Sequence, residues 1–215
     1  MSPENEIVPI GESVQKYDMD VFRAATKSGD FLPRLQLMTA ASDKCKDGKF
    51  QINHYAMIRD QNFKDVGEAV DILVIAWRPK ALEIGDEVIS CFDPKNTEFV
   101  RIQEKSAEAN SGCMYGPEFL VWVPAEKDFA TFFCGSKSSR REAPSILAYL
   151  QKPATLKSRF VETKKFKWWT PAVFGCSTPF DTPNLDKLKA VVEKFNNPPA
   201  TEVEVVEQGG GDRAR

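Results

Sequence analysis

Histidine is almost missing from this chain: His54 is the only one, and no two of the five cysteines form a CxxC pair. That leaves no zinc-ligand spacing. Cys45, Cys91, Cys113, Cys134 and Cys176 are odd in number, which points to reduced thiols and not to a disulfide framework. No apolar run approaches the roughly 18 residues that a membrane-spanning helix needs. The opening stretch "MSPENEIVPIGESV" has no basic segment leading into an apolar one, so it does not read as a signal peptide. These absences together predict a cytoplasmic protein without membrane contact.

The usual catalytic signatures are missing as well. There is no GxGxxG and no GxSxG. The stretch "CGSKSS" at 134–139 falls short of a phosphate loop, because position 131 is Thr131 and Lys137 has no glycine beside it. A Ser, Lys and Gly turn leading into a basic helix could still meet a phosphate through backbone N–H groups. His54 shares an alternating face with Phe50 and Ile52, which favours a satisfied core or edge histidine over a catalytic one. Asp86, Glu87 and Asp93 are the acids nearest to a metal-binding pattern, but strand acids beside turns usually form solvated rims. No enzyme and no cofactor are expected, and a metal-dependent nuclease is kept as a minor alternative.

Apolar residues are plentiful. They make up 42% of 215 residues, with 15 phenylalanines, enough for one large domain with its own core. The net charge is only −2, yet it is unevenly placed. Residues 131–170 hold nine basic residues, Lys137, Arg140, Arg141, Lys152, Lys157, Arg159, Lys164, Lys165 and Lys167, against two acids, Glu142 and Glu162. That region carries +7 and the rest of the chain −9. A basic region on an acidic protein directs an anionic ligand to one face, unless it is simply a lysine-rich solvated surface.

The pattern divides the chain into a flexible arm over 1–16, one domain over 17–197, and a disordered, mildly acidic tail over 198–215. Within the domain, helices are predicted over 18–29, 96–108, 140–151 and 185–197. Strands are predicted over 33–40, 50–59, 70–78, 87–93, 118–124 and 128–135, with 42–49 a turn and 79–86 a loop of hairpin size. Pro144 fits the first turn of its helix. Residues 154–163 and 165–175 read as a hairpin around Glu162–Lys165. Many strands with few helices give a mainly β, α+β class. An OB-fold-like Greek-key barrel with a few peripheral helices fits this order.

The hairpin raises the functional question. "ETKKFKWWTPAV" places three lysines and two adjacent tryptophans within a few residues. Side chains alternate along a strand, so Trp168 and Trp169 cannot share a face. Pairing the two apolar sets puts Leu156, Phe160, Phe166 and Trp168 on one side. Lys157, Arg159, Lys165, Lys167 and Trp169 then make the other, with Lys164 in the turn. Such a face can hold phosphates and stack a base. Alternatively, Trp169 packs against lysine stems and meets no ligand. On the first reading, Trp169→Ala weakens binding more than stability and Trp168→Ala does the reverse. Trp77, Arg78 and Lys80 at a strand end, Tyr115 beside Gly116, and Lys137, Arg140 and Arg141 are candidates to extend the surface.

The run "GPEFLVWVP…FATFFCGSKSSRREAP…ATLKSRFVETKKFKWWTPAV" resembles the phage-encoded OB-fold single-stranded DNA-binding proteins over roughly residues 32–180. The likeness lies in a basic hairpin, a Lys–Trp strand carrying a proline, and the strand order around them. It implies a non-catalytic protein that coats single-stranded DNA during phage replication and recombination, in the host cytoplasm. RNA is an alternative ligand, and replication proteins are further partners. Proteins of this kind often end in a strongly acidic tail. Here Glu202, Glu204, Glu207 and Asp212 are followed by Arg213 and Arg215, so that feature is muted. The rival reading is a protein-interaction or virion component whose basic face meets an acidic protein.

Overall fold

Long-range strand pairing dominates the architecture. The computed structural model describes residues 32–40, 42–59, 62–85, 87–164, 166–176, 181–198 and 201–205, with the backbone alone at 43, 87 and 201–205. The arm over 1–16 and the helix expected over 18–29 lie outside these residues.

Among the described residues, ten strands form one mixed sheet: β1 (Arg34–Leu37), β2 (Tyr55–Arg59), β3 (Asn62–Gly67), β4 (Ala69–Ile84), β5 (Glu87–Cys91), β6 (Cys113–Val123), β7 (Asp128–Phe133), β8 (Pro153–Glu162), β9 (Lys167–Gly175) and β10 (Thr201–Val205). Four α-helices accompany them: α1 (Asp43–Lys46), α2 (Thr97–Lys105), α3 (Lys137–Leu147) and α4 (Leu185–Asn196). The strands run in the order β10-β5-β4-β6-β7-β1-β2-β3, and β8 pairs with β4 and β9. All pairings are antiparallel except β1 with β7. Among the described residues no ladder joins β3 to β9, so the sheet is not the closed barrel expected. No described helix is long and apolar enough to cross a membrane.

β4 organises the sheet. Its inner edge pairs with β6 over most of its length. Its outer edge is shared, with β8 on Ala69–Leu73 and β5 on Ala81–Ile84. A register shift between Val74 and Ala76 exchanges the faces midway. Val70, Ile72 and Val74 therefore point into the same core that Trp77 reaches beyond the shift. The loop expected over 79–86 is strand as far as Ile84. Pro79 is tolerated because it lies opposite Pro117 on one edge and faces the gap between β8 and β5 on the other.

Two further expectations change. β2 begins at Tyr55 and not near 50, because Asn53 has φ 76° and its N–H donates to the Met38 carbonyl in a turn. β2 is buried on both faces: Tyr55 and Met57 join the main core, while Ala56 and Ile58 pack with Met38. The tail expected to be disordered supplies β10, which runs antiparallel to β5 from Thr201 opposite Cys91 to Val205 opposite Glu87.

The helices cover the sheet's apolar faces. α2 sets Phe99 and Ile102 against Ala81, Cys91 and Cys113. α4 sets Phe195 against Leu120, Trp122 and Phe129 on the other face. α3 contributes Ala143 and Ile146 to the main core. It starts at Lys137, earlier than expected, because the Ser136 hydroxyl accepts from the Ser139 N–H and caps it. Pro144 is therefore inside the helix and not in its first turn.

Candidate nucleic-acid interface

A two-residue turn decides which side chains share a face of the β8–β9 hairpin. The Thr163 N–H donates to the Phe166 carbonyl at 2.8 Å, and Glu162 lies opposite Lys167. A turn of even length sets even-numbered residues against odd-numbered ones. Phe160 is therefore opposite Trp169, and Arg159 is opposite Thr170. This reverses the expected assignment of the tryptophans. Trp169 lies on the face of Leu156 and Phe160, where it packs against the main core. Trp168 lies on the face of Lys157, Arg159 and Thr170. Alternation separates the two tryptophans as expected, but the turn length sets which one packs against the main core.

The hairpin projects because β4 supports only part of it. The last β8 residue paired with β4 is Lys157, opposite Ala69. Beyond it, residues 158–162 have β9 as their only described strand partner. The apolar face thus runs out into solvent. Phe160 is 46% exposed, and its ring centroid lies 5.1 Å from that of the half-buried Trp169. Phe166, just past the turn, is 68% exposed. On the opposite face the Lys157 ammonium lies 5.7 Å from the ring centre of Phe174, itself half exposed.

Cations surround these rings. Lys157, Arg159, Lys164 and Lys167 are all exposed, and the placement of Lys165 lies outside the described residues. Two of the four carry carboxylates: Glu142 of α3 pairs with Arg159, and Glu162 pairs with Lys167 at 2.6 Å. The Trp168 indole N–H and the Thr170 hydroxyl are buried on Arg159's face with no hydrogen-bond partner among the described residues.

The remaining candidates fall elsewhere. Trp77, Tyr115 and Arg140 meet in an open, largely apolar groove of about 400 Å³, bounded by α2 and α3 and including Pro79, Pro117 and Pro144. There the Arg140 guanidinium stacks 4.1 Å from the Tyr115 ring centre and donates to the Tyr115 and Gly135 carbonyls. Lys137 and Arg141 are exposed on α3 nearby in sequence. The groove and the hairpin sit toward opposite ends of β4: Tyr115 pairs with Ala81, whereas Lys157 pairs with Ala69. α3 nevertheless touches both: Arg140, Ala143, Pro144 and Leu147 line the groove, and Glu142 of the same helix pairs with Arg159 of the hairpin.

Arg78 and Lys80 are not free cations. Arg78 donates to one oxygen of Glu118 at 2.7 Å and Lys80 to the other at 2.8 Å. Glu118 is 2% exposed. Arg78 also lies between the rings of Phe92 and Phe195 and donates to the Phe195 carbonyl, fastening the end of α4. Their expected place on a nucleic-acid surface gives way to this buried ion triad. Glu118 lies directly opposite Arg78 in the β4–β6 ladder, within reach of Lys80 two residues on, a signal that β6 pairing reveals and spacing alone hides.

Phe160, Phe166 and Phe174 were not among the sequence candidates. The even-length turn places Phe160 beside Trp169, but its exposure follows from where β4 stops supporting β8, a long-range fact. The His54 Nδ1–H donates to the Asp65 carboxylate at 2.8 Å, a satisfied edge position. No group of three His, Cys, Asp or Glu side chains converges on a metal-binding geometry among the described residues. Comparison with protein-family models, curated proteins and solved structures gives no match for this chain.

Proposed function

We propose that the protein binds single-stranded nucleic acid, DNA in the first place, through the projecting β8–β9 hairpin. The observation that carries this is the company the exposed rings keep. Phe160, Phe166 and Phe174 stand on a hairpin with Lys157, Arg159, Lys164 and Lys167, and Trp169 packs at a tilt against Phe160. Base–aromatic stacking contributes roughly 1–3 kcal/mol per base and tolerates any base, while the cations take phosphates. Binding is then sequence-independent, and the protein acts as a coat and not as a catalyst. Phage DNA replication and recombination is the setting that goes with this reading.

The strand order supports an opened OB-like arrangement. With β5 and α2 as an insertion after β4, the strands β4, β6, β7, β8 and β9 come in chain order as five, with α3 between the third and fourth, and the first pairs with both the second and the fourth. In OB-folds the connection between the fourth and fifth strands is one of the loops that grips oligonucleotides. Here that connection is the turn at 163–166. The three added strands β1, β2 and β3 extend the sheet from the free edge of β7, where an OB barrel would close.

The test is a titration with oligo-dT, read by intrinsic tryptophan fluorescence at low and high salt and repeated with oligo-U. Quenching at low salt that weakens as salt rises is expected, because phosphate neutralisation releases counterions. No response at low salt, or an affinity indifferent to salt, overturns the proposal and leaves an acidic protein as the partner of this face.

A further inference from the structure

The region over 131–170 contains only two acids, and each sits on a hairpin cation: Glu142 on Arg159 and Glu162 on Lys167. We propose that Glu142 is an internal competitor for the phosphate that Arg159 would otherwise take, so that the hairpin engages a strand by exchanging a carboxylate for a phosphate. This rests on the hairpin being the binding surface.

The two acids differ in how they are held. Glu162 belongs to the hairpin, directly opposite Lys167, and its side chain is 55% exposed. Glu142 comes from α3, outside the hairpin, and its side chain is 16% exposed. The Arg159 side chain, at 56%, faces solvent. The carboxylate is fixed from below while the guanidinium remains open from above. A guanidinium accepts carboxylate and phosphate oxygens in the same planar fork, so one anion replaces the other without refolding the side chain. Solvent reaches the pair from the Arg159 side, which screens it and leaves the guanidinium open to displacement. Lys157 and Lys164 have no acid paired with them among the described residues, so they make first contact and Arg159 joins by exchange.

The exchange has a signature in salt. A free cation that binds a phosphate contributes to counterion release, and each such contact adds about 0.7 to the slope of log affinity against log salt for a single strand. Arg159 is already neutralised by protein, so its contribution is muted while Glu142 is present. Glu142→Gln, titrated with oligo-dT, is expected to tighten binding about fivefold at low salt, on the scale of one exposed ion pair. Its salt slope should steepen by about 0.7. Both effects should vanish in the Arg159→Ala background, which separates exchange from the general gain of removing one negative charge. Glu108→Gln, an exposed site on the turn after α2, measures that general gain directly. A thermal melt of each variant accompanies the titrations; loosening of α3 would lower affinity, the opposite sign.

Tightening that persists without Arg159, or that Glu108→Gln matches, overturns the inference. So does an unchanged Glu142→Gln while the parent protein still binds, and in that case the hairpin reading stands. A parent protein that does not bind oligo-dT at low salt removes the hairpin reading and this inference with it.

Discussion

A carboxylate with 2% of its surface exposed survives in the fold only if its charge is answered, and Glu118 has Arg78 on one oxygen and Lys80 on the other. Burial pushes its carboxyl up, but the charges of Lys80 and Arg78, with their hydrogen bonds, outweigh that and hold it below the usual carboxylate range. Removing it strands two cations that are themselves 14% and 13% exposed. Glu118→Ala is therefore expected to cost about 3–5 kcal/mol, measured by urea denaturation, because an unanswered buried charge is worse than no charge at all. The residues themselves were legible as charged, but Arg78 and Lys80 read as surface cations until β6 was set beside β4. Gly116 shows the same dependence on a neighbour. A Cβ there would lie 2.1 Å from the Cys134 carbonyl oxygen, so Gly116→Ala is expected to shift the β6 backbone and lower the melting temperature.

At the scale of elements, the hairpin separates binding from stability. Phe166 is 68% exposed, so Phe166→Ala is expected to weaken oligo-dT binding by roughly 1–3 kcal/mol while leaving the melting temperature nearly unchanged. Trp169 has a foot in the core, so Trp169→Ala is expected to lower both. An affinity unaffected by Phe166→Ala would leave its exposure without a role in binding. α2 is tied to β4 by charge as well as by Phe99 and Ile102. Hydrogen bonding from Arg101 first, then from Lys105, against some opposing burial, holds the Glu83 carboxyl down at about 2. The folded state lowers this pKa from 4.5, so its stabilising effect is full above about 4.5 and is lost as pH falls toward 2. Glu83→Gln should flatten that part of an acid-denaturation curve. The sequence marked α2, α4 and most strands correctly because their apolar spacing is local. It missed the strand through Pro79 and the late start of β2, because the first depends on a facing proline and the second on a turn against Met38.

Over the whole molecule, β4 holds the hairpin and the β5–β10 edge at its two ends. Its first residues carry the hairpin and its last carry β5 and β10. Truncation after Pro198 is expected to speed amide exchange in β5, which loses its outer partner, and to leave oligo-dT affinity unchanged. A loss of affinity would mean that the two ends of β4 are coupled. The sequence by itself determined the mainly β class, the basic hairpin and the separation of its two tryptophans, because composition and side-chain alternation act over a few residues. Only the tertiary structure decided that the sheet stays open, that Trp169 and not Trp168 packs on the main core with Phe160 beside it, and that Arg78 and Lys80 are consumed by Glu118. Each of those depends on register and on which strand lies alongside, and pairing partners far apart in the chain leave no local pattern to read.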